Sequence, residues 1–381
     1  MSQIDPGTSA WLRTRNDREA LHLFLEHGAL TRTRLGELSG MSKPTATQMI
    51  ARLESAGLIR PVGEVAGSRG PSAVSWNVRS DRVAGVAVSM LEDCIQAVVV
   101  DALDRRHPIV ELEVRGEPRS PERDIDRAID AACAASGIER RTVEVVTAGV
   151  QAAVSSESDA LSLTDSLPGW PSVGARARIE SELGIAVVLE NDVNLATMAE
   201  RAFGVAQQAG SFALLWLGVG LGVGVDLGGR IHRGAHGGAG EIGYLVVAGR
   251  SQRRGAVTTQ LLGSDSILAL VDAPAGARYP EGIAALAHHE PALRTIAARI
   301  AVTVEPVLAV LDPELIVLGG PTSLAGGERL AELVADELRS DERPDADVRL
   351  SVTGDSSVLA GARRLLVEQI RTRLEDRIPT W

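Results

Sequence analysis

One stretch constrains the fold more than any other. Ile185-Ala186-Val187-Val188-Leu189 runs without interruption into Glu190-Asn191-Asp192, and the residues beyond it change period. The first five are apolar and rich in branched side chains, as in a short strand buried on both faces. From Asn194 to Phe203, Leu195, Met198, Ala199 and Ala202 fall on one helical face. A buried strand feeding directly into a helix is a unit of an α/β sheet, where ligands are met at the carboxyl ends of strands. Asn191 and Asp192 stand at that end. An amide beside a carboxylate offers donors and acceptors to a polyol. Either residue can equally cap the helix that follows, and the stretch alone leaves both readings open.

At 381 residues the chain is long enough for two or three units. Hydrophobic residues make up 45% but aromatics only 3%, so Val, Leu, Ile and Ala must fill the core. Residues 1–80 hold ten Lys+Arg against seven Asp+Glu, a net +3, which leaves −14 for the rest of a chain whose formal total is −11. A basic head on an acidic body fits a small DNA-binding module joined to a larger acidic domain and excludes a uniformly nucleic-acid-coating protein. Cys94 and Cys133 are the only cysteines and form no metal-ligand spacing. Met1 to Leu12 lacks the apolar centre of a signal peptide, and no run of 18 apolar residues exists. The expectation is a cytoplasmic protein with no membrane contact.

In the head, the first dozen residues read as a leader. Asn16 or Asp17 is expected to cap a helix to about His27, ended by Gly28. Thr31 caps a short helix from Arg32 to Leu38. Ser39-Gly40-Met41 is a tight turn, and Ser42 caps a third helix from Lys43 to Ala56, with Pro44 in the first turn, where a missing N–H is harmless. Two helices about a short glycine-containing turn make a helix-turn-helix. Its second helix buries Met49, Ile50 and Leu53 and leaves Ser42, Lys43, Thr45, Thr47, Gln48 and Arg52 off the apolar stripe. These side chains are of the types that contact phosphates or base edges. Leu58 to Val62 and Ala73 to Val78 read as a β-hairpin wing around Gly67-Ser68-Arg69-Gly70-Pro71, with Arg69 at the tip aimed at the minor groove or a phosphate.

In the body, strands are expected at 83–88, 95–101 and 111–114, a helix at 121–135, and a strand at 143–150. This β-β-β-α-β order is typical of a ribonuclease-H-like lobe. A helix at 172–183 precedes the central strand. Phe212 to Gly229 reads as two apolar strands around the closely spaced Gly218, Gly220, Gly222 and Gly224, a shape that cradles phosphate or makes a plain hairpin. A second glycine-rich stretch, Arg233 to Tyr244, holds one carboxylate, Glu241, able to accept two hydrogen bonds from adjacent hydroxyls. His232 and His236 share no helical face there. A helix from Leu293 to Leu311 is expected to break near Pro306. A strand at 315–320, a helix at 330–338, a strand at 348–352 and a helix at 358–373 complete a second α/β lobe, with a cleft between the two.

Pro168-Gly169-Trp170, Leu189 to Asn194, the ribbon Gly218 to Gly224, Gly234 to Gly243 and Pro313 to Gly320 occur in the order found in the ROK family (repressors, open reading frames, kinases), and over residues 83–366 the body resembles that family. The resemblance implies the actin-like ATPase fold. The overall expectation is therefore an α/β chain: a winged helix-turn-helix over residues 1–80, then a two-lobed, ribonuclease-H-like ROK domain for sugar binding and dimerisation over 81–381. The head looks like that of the family's sugar-responsive repressors. The resemblance further implies ligand contacts at Gly169, Asn191, Asp192, Glu241 and Tyr244, with Asp192 matching the kinases' catalytic base.

The departures from the family are informative. The kinases' Asp-x-Gly-Gly-Thr phosphate loop is here Ala87-Val88-Ser89-Met90-Leu91, so Mg-ATP has no evident seat. The family's zinc-binding cysteine run is replaced by Ser251 to Thr258, so no metal is expected. Thr258 stands where the family has a sugar-binding Glu, and Tyr244 where it has a His. The expectation is a non-enzymatic transcriptional regulator, without a cofactor or metal. Its expected function is to repress carbohydrate-related genes as a homodimer, or dimer of dimers, on double-stranded operator DNA, under control of a sugar effector. A ligand-independent regulator and a sugar kinase are the alternatives.

Overall fold

A computed structural model describes residues 8–65, 72–91, 93–114, 119–155, 157–162, 167–247, 256–274, 279–339 and 346–379. The head opens with α1, Ser9–His27, then α2, Arg32–Ser39, and α3, Lys43–Ser55. Helix α1 begins well before the expected Asn16 or Asp17. Thr8 caps it, its Oγ1 accepting from the Trp11 N–H at 3.1 Å. No glycine or proline interrupts residues 9–27, so nothing delays the helix. Asp17 is fully buried. Thr31 and Ser42 cap α2 and α3 as their sequence positions suggest. Strands β1, Ile59–Val65, and β2, Ala73–Val78, pair antiparallel as the wing, and β2 also pairs with Leu30–Thr31.

The first lobe contains β3, Ala84–Met90; β4, Cys94–Asp101; β5, Val110–Glu113; α4, Pro121–Ser136; β6, Val143–Val150; α5, Ala175–Leu183; and β7, Ala186–Asn191. Its sheet has the order β7-β6-β3-β4-β5. β7, β6 and β3 are mutually parallel, and β4 runs antiparallel to both of its neighbours, β3 and β5. β3 is buried along its whole length, as the apolar run Val83 to Val88 requires of a central strand.

Helix α6, Asp192–Phe203, leads into the second lobe: β8, Ser211–Leu217; β9, Leu221–Leu227; α7, Glu290–Leu311; β10, Leu315–Gly319; α8, Gly320–Leu338; and β11, Asp347–Leu350; the chain then ends in α9, Ser357–Glu375. The sheet of the second lobe places Arg230–Ile231 at one edge, followed by β9, β8, β10 and β11. Helix α7 does not break at Pro306. Ile300, Val304 and Val307 are buried on both sides of the proline, so packing holds the helix where one backbone bond is lost. Helix α8 starts ten residues earlier than expected, with its interruption at Gly327.

Helix α6 packs against α9 on one side and β9 on the other. Its approach to β9 is close. A Cβ on Gly224 would lie 1.7 Å from Thr197 Oγ1, so the glycine ribbon serves helix packing at that point. Helix α9 returns to the first lobe and to its junction with the head. Arg371 Nε donates to Ala102 O at 3.0 Å and Arg377 Nη1 to Arg82 O at 3.1 Å. Arg105, held by the buried Asp101 at 2.8 Å, donates to Ser80 Oγ at 2.6 Å. The buried apolar residues of the head, Val83 and those of α9 form one continuous cluster.

Candidate functional site

Two regions concentrate the residues singled out by sequence. The first is the N-terminal end of α3. Ser42 Oγ accepts from the Thr45 N–H at 3.4 Å and bonds Thr45 Oγ1 at 2.9 Å. Thr47 Oγ1 donates to Lys43 O at 2.9 Å. Ser42, Lys43, Thr47 and Gln48 are exposed, and Thr45 is half-buried, because Ala46, Met49, Ile50 and Leu53 take the inward face. Arg52 departs from this set. Its guanidinium grips Asp17 of α1 through Nε at 2.7 Å and Nη2 at 2.6 Å. That bond ties α3 to α1 and turns Arg52 inward, correcting its expected place among groups open to DNA. The spacing along α3 put Arg52 off the apolar stripe, but the buried carboxylate lies on another helix. Arg69 lies outside the described residues.

The second region is a cleft of about 140 Å³ at the carboxyl ends of the first lobe's parallel strands. β6 and β7 end side by side, with Asn191 opposite Val150. The β8–β9 turn and the 239–244 loop face them. The volume is well below the several hundred Å³ of drug-sized sites and suits a small ligand. A Cβ on Gly240 (φ 86°) would lie 1.7 Å from Val223 O, so only glycine lets the loop fold this close to β9.

Asn191, Asp192, Glu241 and Tyr244 all line the cleft. Asn191 is also the N-cap of α6. Its Oδ1 accepts from the Asn194 N–H at 3.0 Å and its Nδ2 donates to Ala152 O at 3.0 Å. The capping and the cleft readings are therefore both met, and much of this amide is engaged by the protein itself. Asp192 is 8% exposed, and its Oδ1 accepts from the Val193 N–H at 2.8 Å. Burial pushes its carboxyl up to about 7, and the charge of Glu241 adds to the rise. Burial raises Glu241 as well. The preceding Glu190 faces a different partner: Arg233 meets its Oε2 at 2.7 Å, and Asn194 Nδ2 donates to its Oε1 at 2.9 Å.

Gly169 is not among the residues that line the cleft. Its φ is 85°, and a Cβ there would lie 2.2 Å from Arg119 O. The glycine is needed for a turn packed on backbone, which corrects the ligand contact expected of it. The same turn carries Trp170, whose Nε1 donates to Asp124 Oδ2 at 2.8 Å. Arg119 binds that oxygen at 3.0 Å and Leu91 O at 3.0 Å. A protein guanidinium thus packs just after β3, where the resemblance places a phosphate loop.

Thr258 is buried, donating its hydroxyl to Ile242 O, while Thr259 reaches the cleft. Gln151, Trp216 and Thr259 line it without having been singled out by sequence. Gln151 had a signal available, since it follows a buried strand as Asn191 does. Among the described residues, no group of three His, Cys, Asp or Glu can hold a metal ion, and no helix is long and apolar enough to cross a membrane. Residues 251–255 of the stretch replacing the cysteine run lie outside the described set.

A model of the ROK family matches residues 98–369, and one described as winged helix-turn-helix DNA-binding matches residues 13–60. A putative xylose repressor of Caldicellulosiruptor sp. (strain Rt8B.4) is 22% identical over 245 residues, 63% of this chain and 61% of that protein. The chain spans about three-fifths of the length of that relative. A solved ROK family transcriptional regulator, a homolog of the E. coli MLC protein, superposes with a TM-score of 0.66 at 17% identity, covering 96% of this chain and 99% of that one. The ROK hexokinase from Thermus thermophilus gives 0.60 at 23% identity, covering 76% and 100%. At these identities the structural likenesses establish the fold.

Proposed function

The chain belongs to the ROK family, and on that footing we propose that it is a DNA-binding transcriptional regulator, a repressor of carbohydrate-related genes released by a sugar or sugar-derived ligand in the cleft. One observation carries this reading: an exposed polar edge on α3 and a small, carboxylate-lined cleft occur in one chain. The likeness to a xylose repressor supports the same class.

In this reading residues 1–80 hold the operator and residues 81–381 bind the ligand and dimerise. Ser42, Lys43, Thr45, Thr47, Gln48 and Arg69 meet DNA, and Asn191, Asp192, Glu241 and Tyr244 meet the ligand. The protein acts in the cytoplasm as a homodimer, because two joined heads on a two-fold symmetric site fix half-site spacing and raise affinity. Ligand in the cleft favours one arrangement of the lobes, and α9 carries the change to the junction at Arg82. A hundredfold loss of operator affinity needs about 2.7 kcal/mol of coupling.

The kinase-like position of Asp192 and the likeness to a hexokinase favour a second reading, a sugar kinase. Arg119 at the end of β3 argues against it, since it packs where a phosphate loop is required. Selection of genomic DNA fragments, repeated with a panel of sugars, tests the first reading. We expect a two-fold symmetric site released by one sugar. Failure to enrich any DNA, together with ATP turnover lost in Asp192→Asn, would establish the kinase instead.

A further inference from the structure

Residues Arg79 to Arg82 lie between the wing strand β2 and the body. A linker that leaves its domains free to move is exposed and makes few bonds. This one is neither free nor exposed. Ser80 is 4% exposed, and Arg79, Asp81 and Arg82 are half-buried. The Arg79 N–H donates to Leu58 O at 2.8 Å, and that of Arg82 to Arg79 O at 3.1 Å. The body holds the joint from two sides. Arg105, in the loop between β4 and β5, donates through Nη2 to Ser80 Oγ at 2.6 Å. Arg377, just beyond α9, donates to Arg82 O at 3.1 Å and also meets Glu144 of β6.

Arg105 is itself held in place. Asp101, at the end of β4, is fully buried and accepts from Arg105 Nε at 2.8 Å. Its Oδ1 accepts from the N–H groups of Leu103 at 2.9 Å and Arg105 at 3.3 Å, and His107 Nε2 lies 3.0 Å from its Oδ2. Burial works against the charge of Asp101, but the bonds from His107 and Arg105 hold its carboxyl below the ordinary range. A buried, ionised acid thus shapes the β4–β5 loop, so that the Nε of Arg105 meets the acid while its Nη2 reaches the joint. The Arg105 side chain is 53% exposed, so its bonds add little stability and chiefly fix a direction. Arg79 Nε, Arg82 Nε and Asp81 Oδ1 are buried there with no protein partner among the described residues, and opening the joint would hydrate them. Docking is therefore opposed at the joint itself, which is where the Arg105 bond acts.

A tethered head can reach many half-site separations, whereas a fixed head reaches one. Resting on the reading of the chain as an operator-binding dimer, we propose that Arg105 is a positioning residue for operator recognition: by holding Ser80 it fixes the head on the body, and so sets the half-site spacing that a dimer accepts. Two measurements test it, the first without DNA. Hydrogen exchange of the full chain, read by mass spectrometry, follows peptides that span residues 79–82. Ser80→Ala, which leaves Arg105 on Asp101, and separately Arg105→Ala should speed exchange there by about tenfold, while peptides of α3 keep the wild-type rate. Exchange unchanged in both variants overturns the proposal whatever the chain binds. The second measurement uses the two-fold site recovered by DNA selection, its centre lengthened and shortened one base pair at a time, beside a duplex with a single half-site. The wild-type chain should prefer one spacing over its neighbours by about tenfold or more. Both variants should bring that ratio towards one and bind the single half-site as the wild type does, whereas a damaged head would weaken the half-site duplex itself. A wild-type chain indifferent to spacing overturns the proposal, as does a spacing preference unchanged in both variants. Faster exchange in the variants of a chain that enriches no DNA would sink the regulator reading, and with it the role of Arg105 in spacing.

Discussion

Arg52 and Asp17, 35 positions apart, form a two-point ion pair that fastens α3 to α1. The Asp17 side chain is 1% exposed and that of Arg52 18%, so the pair sits inside the head. Removing one partner leaves the other charge buried and alone, whereas replacing both by apolar groups need not destabilise.

Asp17→Ala should therefore lower the stability of the head by about 3–5 kcal/mol. Urea unfolding followed by circular dichroism measures this. The double replacement Asp17→Leu with Arg52→Met should recover most of the loss. Equal damage from single and double variants would show that the packing, not the lone charge, was at fault.

Lys43 and Gln48 should separate by mechanism. Gln48→Ala is expected to lose about 1–3 kcal/mol on the preferred site and to relax the preference at one base position. Lys43→Ala is expected to weaken every sequence alike and to lower the slope of log K against log salt by about one. Fluorescence anisotropy on matched and shuffled duplexes at several salt concentrations distinguishes the two.

Asp192 makes stability depend on pH. Its folded-state carboxyl stands at about 7 against an ordinary 3.8, so the native state binds the extra proton between those values. Stability is highest when the group is protonated and falls as pH rises towards 7, with the full penalty above that. Asp192→Asn removes the penalty and should stabilise the protein by roughly 2–4 kcal/mol at pH 8. The gain should shrink steadily towards pH 4. Thermal melts across that range check it, and a constant difference would rule out titration of Asp192 as the cause.

Gly169→Ala should act on stability without touching the ligand. The new Cβ meets Arg119 O in a left-handed turn, a strain of about 1–3 kcal/mol. Thermal melts should show the loss, and titration of the refolded variant should give the wild-type affinity for any cleft ligand. Weakened binding at unchanged stability would restore Gly169 to the cleft.

What the sequence made legible was local. Thr31 and Ser42 announce their helices because a cap needs only a hydroxyl three residues before an amide. The apolar run at 185–189 could hardly be anything but a strand, and Asn191, Asp192 and Glu241 followed from strand ends and a family resemblance. What stayed hidden depends on residues distant in the chain. Nothing near Arg52 points to Asp17, and nothing near Gly169 points to Arg119. Gln151 and Trp216 reach the cleft through the register of neighbouring strands, which no single segment encodes. Pro306 misled for the same reason, since tertiary packing overrides the local rule.

Arg377 meets Arg82 across 295 positions of chain. A ribosome needs roughly 15–60 s to make that interval. The head and the first strand are thus complete long before the helix that anchors their junction exists. During that interval the apolar side of β3 destined for α9 lies uncovered, and the head still lacks the C-terminal contact that holds its junction. Translation itself therefore imposes an order: the winged head is made first, and the segment that fastens it to the body last.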